Sequence, residues 1–278
     1  MSTLKLSKES YREFQAFLHD ACGILLGENK EYLVESRLRP LMEESGMVQL
    51  DRFVEALKRD VVVGLREKTI EAMTTNETLW FRDTVPFEIL RNQMLPKLVE
   101  ARRPNVQIWS AACSSGQEPY SISMVIEEML ASGQKMPSVR IAATDISPAM
   151  VAQAKEGIYD PICLARGLSD ARRKLFFQER DQDHWQVRQD IARRISFSQH
   201  NLLQSFSAFG RFDIIFCRNV LIYFSKEGKQ NILRRFAEAL HADGYLVLGA
   251  SESITGVTDL FDMVNFRPGL AYQLKARG

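Results

Sequence analysis

Four short stretches gather the side chains able to do chemistry. The first, residues 105–120, reads N-V-Q-I-W-S-A-A-C-S-S-G-Q-E-P-Y. An apolar, β-favouring run at 106–109 gives way to a small polar loop. The loop passes into an apolar helical pattern through Tyr120, Ile122, Val125, Ile126 and Met129. Strand, tight loop and helix in that order make the first unit of an open α/β sheet. In such sheets ligands bind beyond the carboxyl ends of the strands, and small side chains let a ligand approach the backbone closely. The stretch reads equally as an ordinary strand-to-helix turn, because the dinucleotide pattern G-x-G-x-x-G is absent. The second stretch ends in Asp145, a carboxylate placed to accept hydrogen bonds from ribose hydroxyls. Asp145-Ile146-Ser147-Pro148 also reads as a helix N-cap with proline just inside the helix, and the two roles are compatible. The third, residues 212–224, delivers Cys217, Arg218 and Asn219 and then Ile222, Tyr223 and Phe224 from the end of an apolar run, which packing alone explains poorly. The fourth, residues 74–82, reads T-T-N-E-T-L-W-F-R. It is either a capping loop between domains or a polar lid held by the aromatic pair Trp80 and Phe81.

Composition narrows the class. The chain has 278 residues, 45% hydrophobic and 26% charged, with a net charge of +1. That is ordinary for a globular protein of one large or two modest domains. It gives no global field for nucleic acid or an anionic membrane. Cys22, Cys113, Cys163 and Cys217 are scattered, form no C-x-x-C and have no histidine at metal spacing, so they read as reduced cytosolic thiols and no metal is expected. No apolar run approaches the ~18 residues of a membrane span, and residues 1–10 lack the apolar core of a signal peptide.

The elements that must position these stretches follow in order. From Leu4 to about Asn76 the apolar spacing is helical throughout, with Ser7 and Asp51 as expected N-caps. Arg52, Lys58 and Arg59 dot this region, with solvated helix faces as their plainest reading. Pro86 starts a further helix. Strands are expected at 106–109, 139–144, 195–199, 212–217 and 245–249, with two more and a turn at 267–269 inside residues 261–274. Residues 157–195 break the α/β alternation and read as an insertion with its own structure, helical at 168–177 and extended at 184–188. His200 reads as structural. The domain boundaries expected are 1–76 helical, 77–104 linker and connecting helix, and 105–278 the sheet domain.

Taken together, the T-T-N-E-T-L-W-F-R stretch, W-S-A-A-C-S-S-G-Q-E-P-Y-S at 109–121, A-T-D-I-S at 143–147, H-N-L-L at 200–203, the 212–224 stretch and G-A-S-E-S at 249–253 resemble the CheR chemotaxis receptor methyltransferases along nearly the whole chain. The resemblance implies a class I S-adenosylmethionine-dependent methyltransferase: a Rossmann-like, mixed seven-stranded sheet with a small all-helical N-terminal domain and an inserted antiparallel β-subdomain. It implies transfer of methyl from S-adenosylmethionine to glutamate side chains of chemoreceptor cytoplasmic helices, with S-adenosylhomocysteine as product. It places Asn76, Thr78 and Arg82 at the donor from the linker side, Ala111 and Glu118 at the first loop, and Asp145 at the ribose. Asn201 and Leu202 would flank the adenine, and Cys217, Arg218, Asn219 and Tyr223 would complete the cleft. Arg82 and Tyr223 are the expected catalytic residues. Some members grip a receptor's C-terminal pentapeptide through a glycine-bearing loop of the β-subdomain. Residues 176–188 hold no glycine, which argues against tethering here. The expected protein is a cytoplasmic monomer that neither binds nucleic acid nor inserts into membrane.

The chemistry fits the residues. A glutamate carboxylate is already ionised near neutral pH, so methyl transfer needs alignment more than a strong general base. Arg82 offers a planar fork for the acceptor carboxylate, and Tyr223 a hydroxyl to position donor or acceptor. A domain-bridging ion pair and a core aromatic are the bland alternatives. Competing functions are a methyltransferase of another substrate, a cofactor-binding scaffold without turnover, and a dinucleotide oxidoreductase, the last disfavoured by the missing glycine pattern.

Overall fold

The computed structural model describes residues 7–47 and 49–275. The chain forms two compact units. Of the described residues, one holds those up to Thr75 together with Tyr223–Lys229; the other holds Asn76–Ile222 and those from Gln230 on.

The first unit packs the helices Lys8–Cys22, Glu31–Glu44, Leu50–Arg59 and Leu65–Met73 around Phe14, Leu18, Val34, Leu38, Phe53, Val54 and Leu57, all fully buried. Ser7 caps the first helix as expected, accepting from the Ser10 N–H; the expected helical start at Leu4 lies outside the described residues. Asp51 does not cap the third helix. That helix begins two residues earlier than an Asp51 cap would start it, at Leu50, because Leu50 is needed in the core. Asp51 stands instead in the first turn, where the helix dipole favours a carboxylate. Thr74 closes the last helix, its Oγ1 donating to the Glu71 carbonyl. Arg37 ties the same end down by donating to the Met73 and Thr74 carbonyls.

The second unit is built on β1 (Asn105–Ala111), β2 (Ser138–Asp145), β6 (Ile195–Gln199), β7 (Phe212–Cys217), β8 (Leu240–Leu248), β9 (Phe261–Asn265) and β10 (Leu270–Leu274). Their order is β6-β2-β1-β7-β8-β10-β9, parallel up to β8 and antiparallel for the terminal hairpin. Every residue of β7 is buried, as a strand covered on both faces requires. The chain runs outward to one side from β1 through β2 to β6, and to the other from β7 to β8. The β1–β7 gap is therefore the switch point of the sheet, where ligands of such folds bind. A separate antiparallel sheet, ordered β3-β5-β4, contains β3 (Ile158–Tyr159), β4 (Phe177–Asp181) and β5 (His184–Val187). This is the inserted segment.

Two helix starts fall where the sequence puts them, with proline in the first turn of each. The helix after β2 is capped by Ser147, which accepts from the Met150 N–H, and not by Asp145. The helix expected at Pro86 starts at Val85 and widens into a π-turn at Leu90–Met94 before Leu95–Glu100.

Candidate functional site

Strand register brings the chemistry to one line. Ala111 lies level with Thr144 and with Cys217, and Cys217 with Leu248. Beyond Ala111 the chain enters left-handed backbone at Ala112 (φ 63), Ser114 (φ 50) and Gly116 (φ 98). Conformations of this kind persist only where the surroundings enforce them. Asp145 is one enforcer: its Oδ2 accepts from the Ser114 N–H at 2.8 Å and its Oδ1 from the Ser147 N–H at 3.0 Å. Gly116 is required by space as well as by φ, since a Cβ there would crowd Ala154 and the Tyr159 hydroxyl at 3.0 Å.

A buried arginine joins three of the stretches. The Arg218 side chain is 2% exposed and follows directly on β7. Its Nη1 donates to Glu118 Oε2 at 3.0 Å. Its Nη2 donates to Asp83 Oδ2 and to the Arg82 carbonyl, both at 2.7 Å. Glu118, in the first turn of the helix Gln117–Ala131, also accepts from Ser110 Oγ at 2.7 Å. Both Arg218 Nη atoms are thus committed to protein partners, while its Nε is buried with no partner among the described residues. Next to it Asn219 adopts φ 58, and its Oδ1 is buried without a hydrogen-bond donor.

The 76–82 stretch is held from both ends. Ser114 Oγ donates to the Asn76 carbonyl at 2.8 Å, and Thr78 is half-buried nearby in the chain. Trp80 is fully buried, edge-on to Tyr159 (4.9 Å) and Phe177 (5.3 Å) of the inserted segment. Phe81 (φ 49) donates its N–H to Ser121 Oγ at 3.1 Å, and the Arg172 guanidinium lies 3.6 Å from its ring centroid. Arg82, directly after these fixed points, is half-exposed. It donates to the Glu77 carbonyl at 3.0 Å, and among the described residues no carboxylate pairs with it.

At the end of β6, the His200 N–H donates to the Asp145 carbonyl at 2.9 Å. Asn201 Oδ1 accepts from the Leu203 N–H at 2.9 Å, and Leu202 is buried. The His200 ring packs against Phe209 and Trp109, and partial burial with the Arg235 charge lowers its pKa, so it is a neutral, half-buried packing group. Tyr223 ends a short 3-10 turn, Leu221–Tyr223, and its carbonyl accepts from the Leu25 N–H at 2.7 Å, which places it in the helical unit. Burial pushes the thiols of Cys113 and Cys217 well up, reinforced at Cys113 by the Asp145 and Glu118 charges and at Cys217 by Glu252 and Glu118. Neither is a thiolate near neutral pH, so neither is an activated nucleophile. Among the described residues no group of three or more His, Cys, Asp or Glu is arranged to hold a metal ion.

Residues 9–74 match the family domain described as the CheR methyltransferase all-alpha domain, and residues 76–270 the CheR methyltransferase SAM binding domain. The chain belongs to the CheR methyltransferase family. It is 48% identical to a chemotaxis protein methyltransferase of Vibrio anguillarum over 99% of this chain and all of that one. It is 49% identical to one of Pseudomonas putida over 95% and 98%, and 46% identical to one of Pseudomonas aeruginosa over 98% and all of that chain. Among solved structures, the magnesium protoporphyrin IX methyltransferase of Synechocystis is 14% identical with a TM-score of 0.38, covering 82% of this chain and 99% of that one.

The CheR family's cofactor, S-adenosylmethionine, is rich in donors: ribose hydroxyls, an ammonium and the adenine amino group. The strand ends of this CheR domain are correspondingly rich in acceptors. Asp145 presents a carboxylate at the end of β2, and the buried Asn219 Oδ1 has no donor among the described residues. The residues present fit the group. Sequence reasoning missed Glu252, whose carboxylate accepts four backbone N–H groups around Asn219. It also missed Arg172 behind Phe81. The G-A-S-E-S resemblance included Glu252 but gave it no partner.

Proposed function

We propose that this CheR protein methylates glutamate side chains of chemoreceptors, forming methyl esters for sensory adaptation. The observation that carries the reading is Arg82, a guanidinium fixed through Trp80 and Phe81 yet left without a carboxylate of its own among the described residues. Arg82 would receive the acceptor carboxylate and hold it in line. Asp145 would accept from the ribose, Asn201 and Leu202 would flank the adenine, and Ala111 and Cys217 would floor the cleft. Asn76, Thr78, Glu118, Arg218 and Asn219 would shape the surrounding wall. The Tyr223 hydroxyl would position donor or acceptor. S-adenosylmethionine, when bound, supplies an electrophilic methyl group on a sulfonium. The acceptor arrives ionised, so no residue has to remove a proton. The test is incubation with methyl-labelled S-adenosylmethionine and a chemoreceptor cytoplasmic fragment. Alkali-labile label on the fragment is the expected result; binding of the cofactor without transfer would favour a scaffold.

Asp145→Ala is expected to weaken S-adenosylhomocysteine binding while the fold persists. Loss of charge-assisted hydrogen bonds costs about 1.5–3 kcal/mol, roughly ten- to a hundred-fold in affinity. Calorimetry giving wild-type affinity would remove Asp145 from the site.

Receptor choice gives another expectation. β4 is an edge strand, but four of its five residues are exposed, Glu179, Arg180 and Asp181 are charged, and its register against β5 slips between Glu179 and Asp181. Such features blunt an edge against strand addition. Methylation should therefore survive deletion of a receptor's C-terminal tail. Recognition would fall to the helical unit. There Lys58 and Arg59 already pair with Glu13 and Glu55, which leaves Arg52 of the three cations expected to meet an acidic receptor helix. A large drop in rate on tail removal, together with measurable affinity for the isolated tail peptide, would refute this.

A further inference from the structure

The turn that leaves β7 is clamped by one carboxylate. Glu252 Oε2 accepts from the N–H groups of Gly249 and Asn219, both at 2.8 Å. Its Oε1 accepts from Val220 at 3.0 Å and Ile222 at 3.3 Å. A carboxylate offers about four lone-pair sites, and all four are used on backbone. Among the described residues no cation pairs with Glu252, so backbone dipoles alone hold its charge. The packing is close: a Cβ on Gly249 would stand 2.7 Å from Glu252 Oε2 and 2.9 Å from the Asn219 nitrogen.

What is clamped is strained. Asn219 is held at φ 58 with its Oδ1 buried and undonated. Left-handed backbone and an orphaned acceptor each cost stability and persist only when the surroundings over-determine them. The Glu252 carboxylate is the group that does so, since two of its four bonds are to Asn219 and the residue after it. The helix Lys226–Ala239 and strand β8 separate Glu252 from this turn in sequence, so the clamp exists only in the folded unit.

We propose that Glu252 is a positioning residue of the cofactor site: by binding four backbone N–H groups it sets the Asn219 turn and aims the Asn219 amide oxygen at a donor on the bound cofactor. The role rests on the methyltransferase reading above. Glu252→Gln is the informative variant. It keeps size and shape but turns one oxygen into an NH2 that faces backbone N–H donors. Glu252→Asp keeps the charge and withdraws it by one methylene.

The experiment measures S-adenosylhomocysteine affinity by calorimetry and amide hydrogen exchange on the full chain, for wild type and both variants. E252Q is expected to lose about tenfold or more in affinity, with faster exchange at Asn219, Val220 and Ile222 and unchanged protection in the helical unit. E252D is expected to fall between E252Q and wild type. An E252Q protein that is folded and binds within about twofold of wild type overturns the role. If E252Q does not fold, E252D decides: weakened binding in a folded protein supports the role, while wild-type binding or failure to fold makes Glu252 a stability residue only. A wild-type protein that does not bind S-adenosylhomocysteine at all would overturn the proposed function, and the positioning role with it.

Discussion

Arg82→Ala is expected to slow methyl transfer roughly a hundred-fold or more while changing S-adenosylhomocysteine affinity far less. The magnitude is that of losing alignment between two reactants, where a misplacement of about 1 Å costs on the order of a hundred-fold. The asymmetry follows from the proposed partner: Arg82 would hold the acceptor, and the donor is held elsewhere. Stability should barely move, because among the described residues the half-exposed side chain makes one hydrogen bond, to the Glu77 carbonyl. Arg82→Lys should recover only part of the rate, since a point charge cannot present two parallel N–H bonds to one carboxylate. Single-turnover rates near wild type in the alanine variant would reject a catalytic role.

Arg218→Ala is expected to do the opposite, unfolding the site before it tests chemistry. Arg218 is 2% exposed and Glu118 12%. Removing the cation leaves a nearly buried carboxylate with Ser110 as its remaining described donor. Breaking a buried pair by deleting one partner costs about 3–5 kcal/mol, a large share of the ~5–15 kcal/mol that holds a domain together. It also frees Asp83 and the Arg82 carbonyl, so the 76–83 stretch should lose its anchor. Denaturant melts should show the sheet unit destabilised by that amount. Replacing Glu118 together with Arg218, as Glu118→Gln with Arg218→Met, should recover part of the loss, because no charge is then stranded. A single Arg218→Ala substitution costing less than about 1 kcal/mol, the worth of an exposed pair, would show that the buried network does not carry the site.

The contrast between these two arginines explains what the sequence could and could not disclose. The strands were legible because each carries its burial in its own residues. Phe212 to Cys217 is apolar enough to be central, and β9 and β10 flank a Pro-Gly turn. The small-residue loop after β1 and Asp145 after β2 were legible because neighbours in sequence and fixed strand polarity place them. Arg218 was assigned to the cleft, yet its partners Glu118 and Asp83 lie 100 and 135 residues away, and no local spacing announces that. Glu252 was hidden for the same reason, its partners being backbone groups, which leave no trace in residue type. One cap failed more narrowly. Asp51 shows that a cap is decided by where the first core residue falls, and that shifts by a residue or two without changing the pattern. Trp80 read only as an anchor of unknown purpose until Tyr159 and Phe177 of the insertion were seen to enclose it.

Delivery of a methyl group to glutamate carboxylates is the chemistry expected of this site. Its most direct test is mass-spectrometric mapping of a chemoreceptor cytoplasmic fragment after incubation with the full-length protein and S-adenosylmethionine, with the Arg82→Ala variant in parallel. Methyl groups on glutamate side chains, removed by mild alkali and nearly absent with the variant, are the expected result. Methylation on lysine, arginine or cysteine, or equal glutamate methylation by the Arg82→Ala variant, would contradict it.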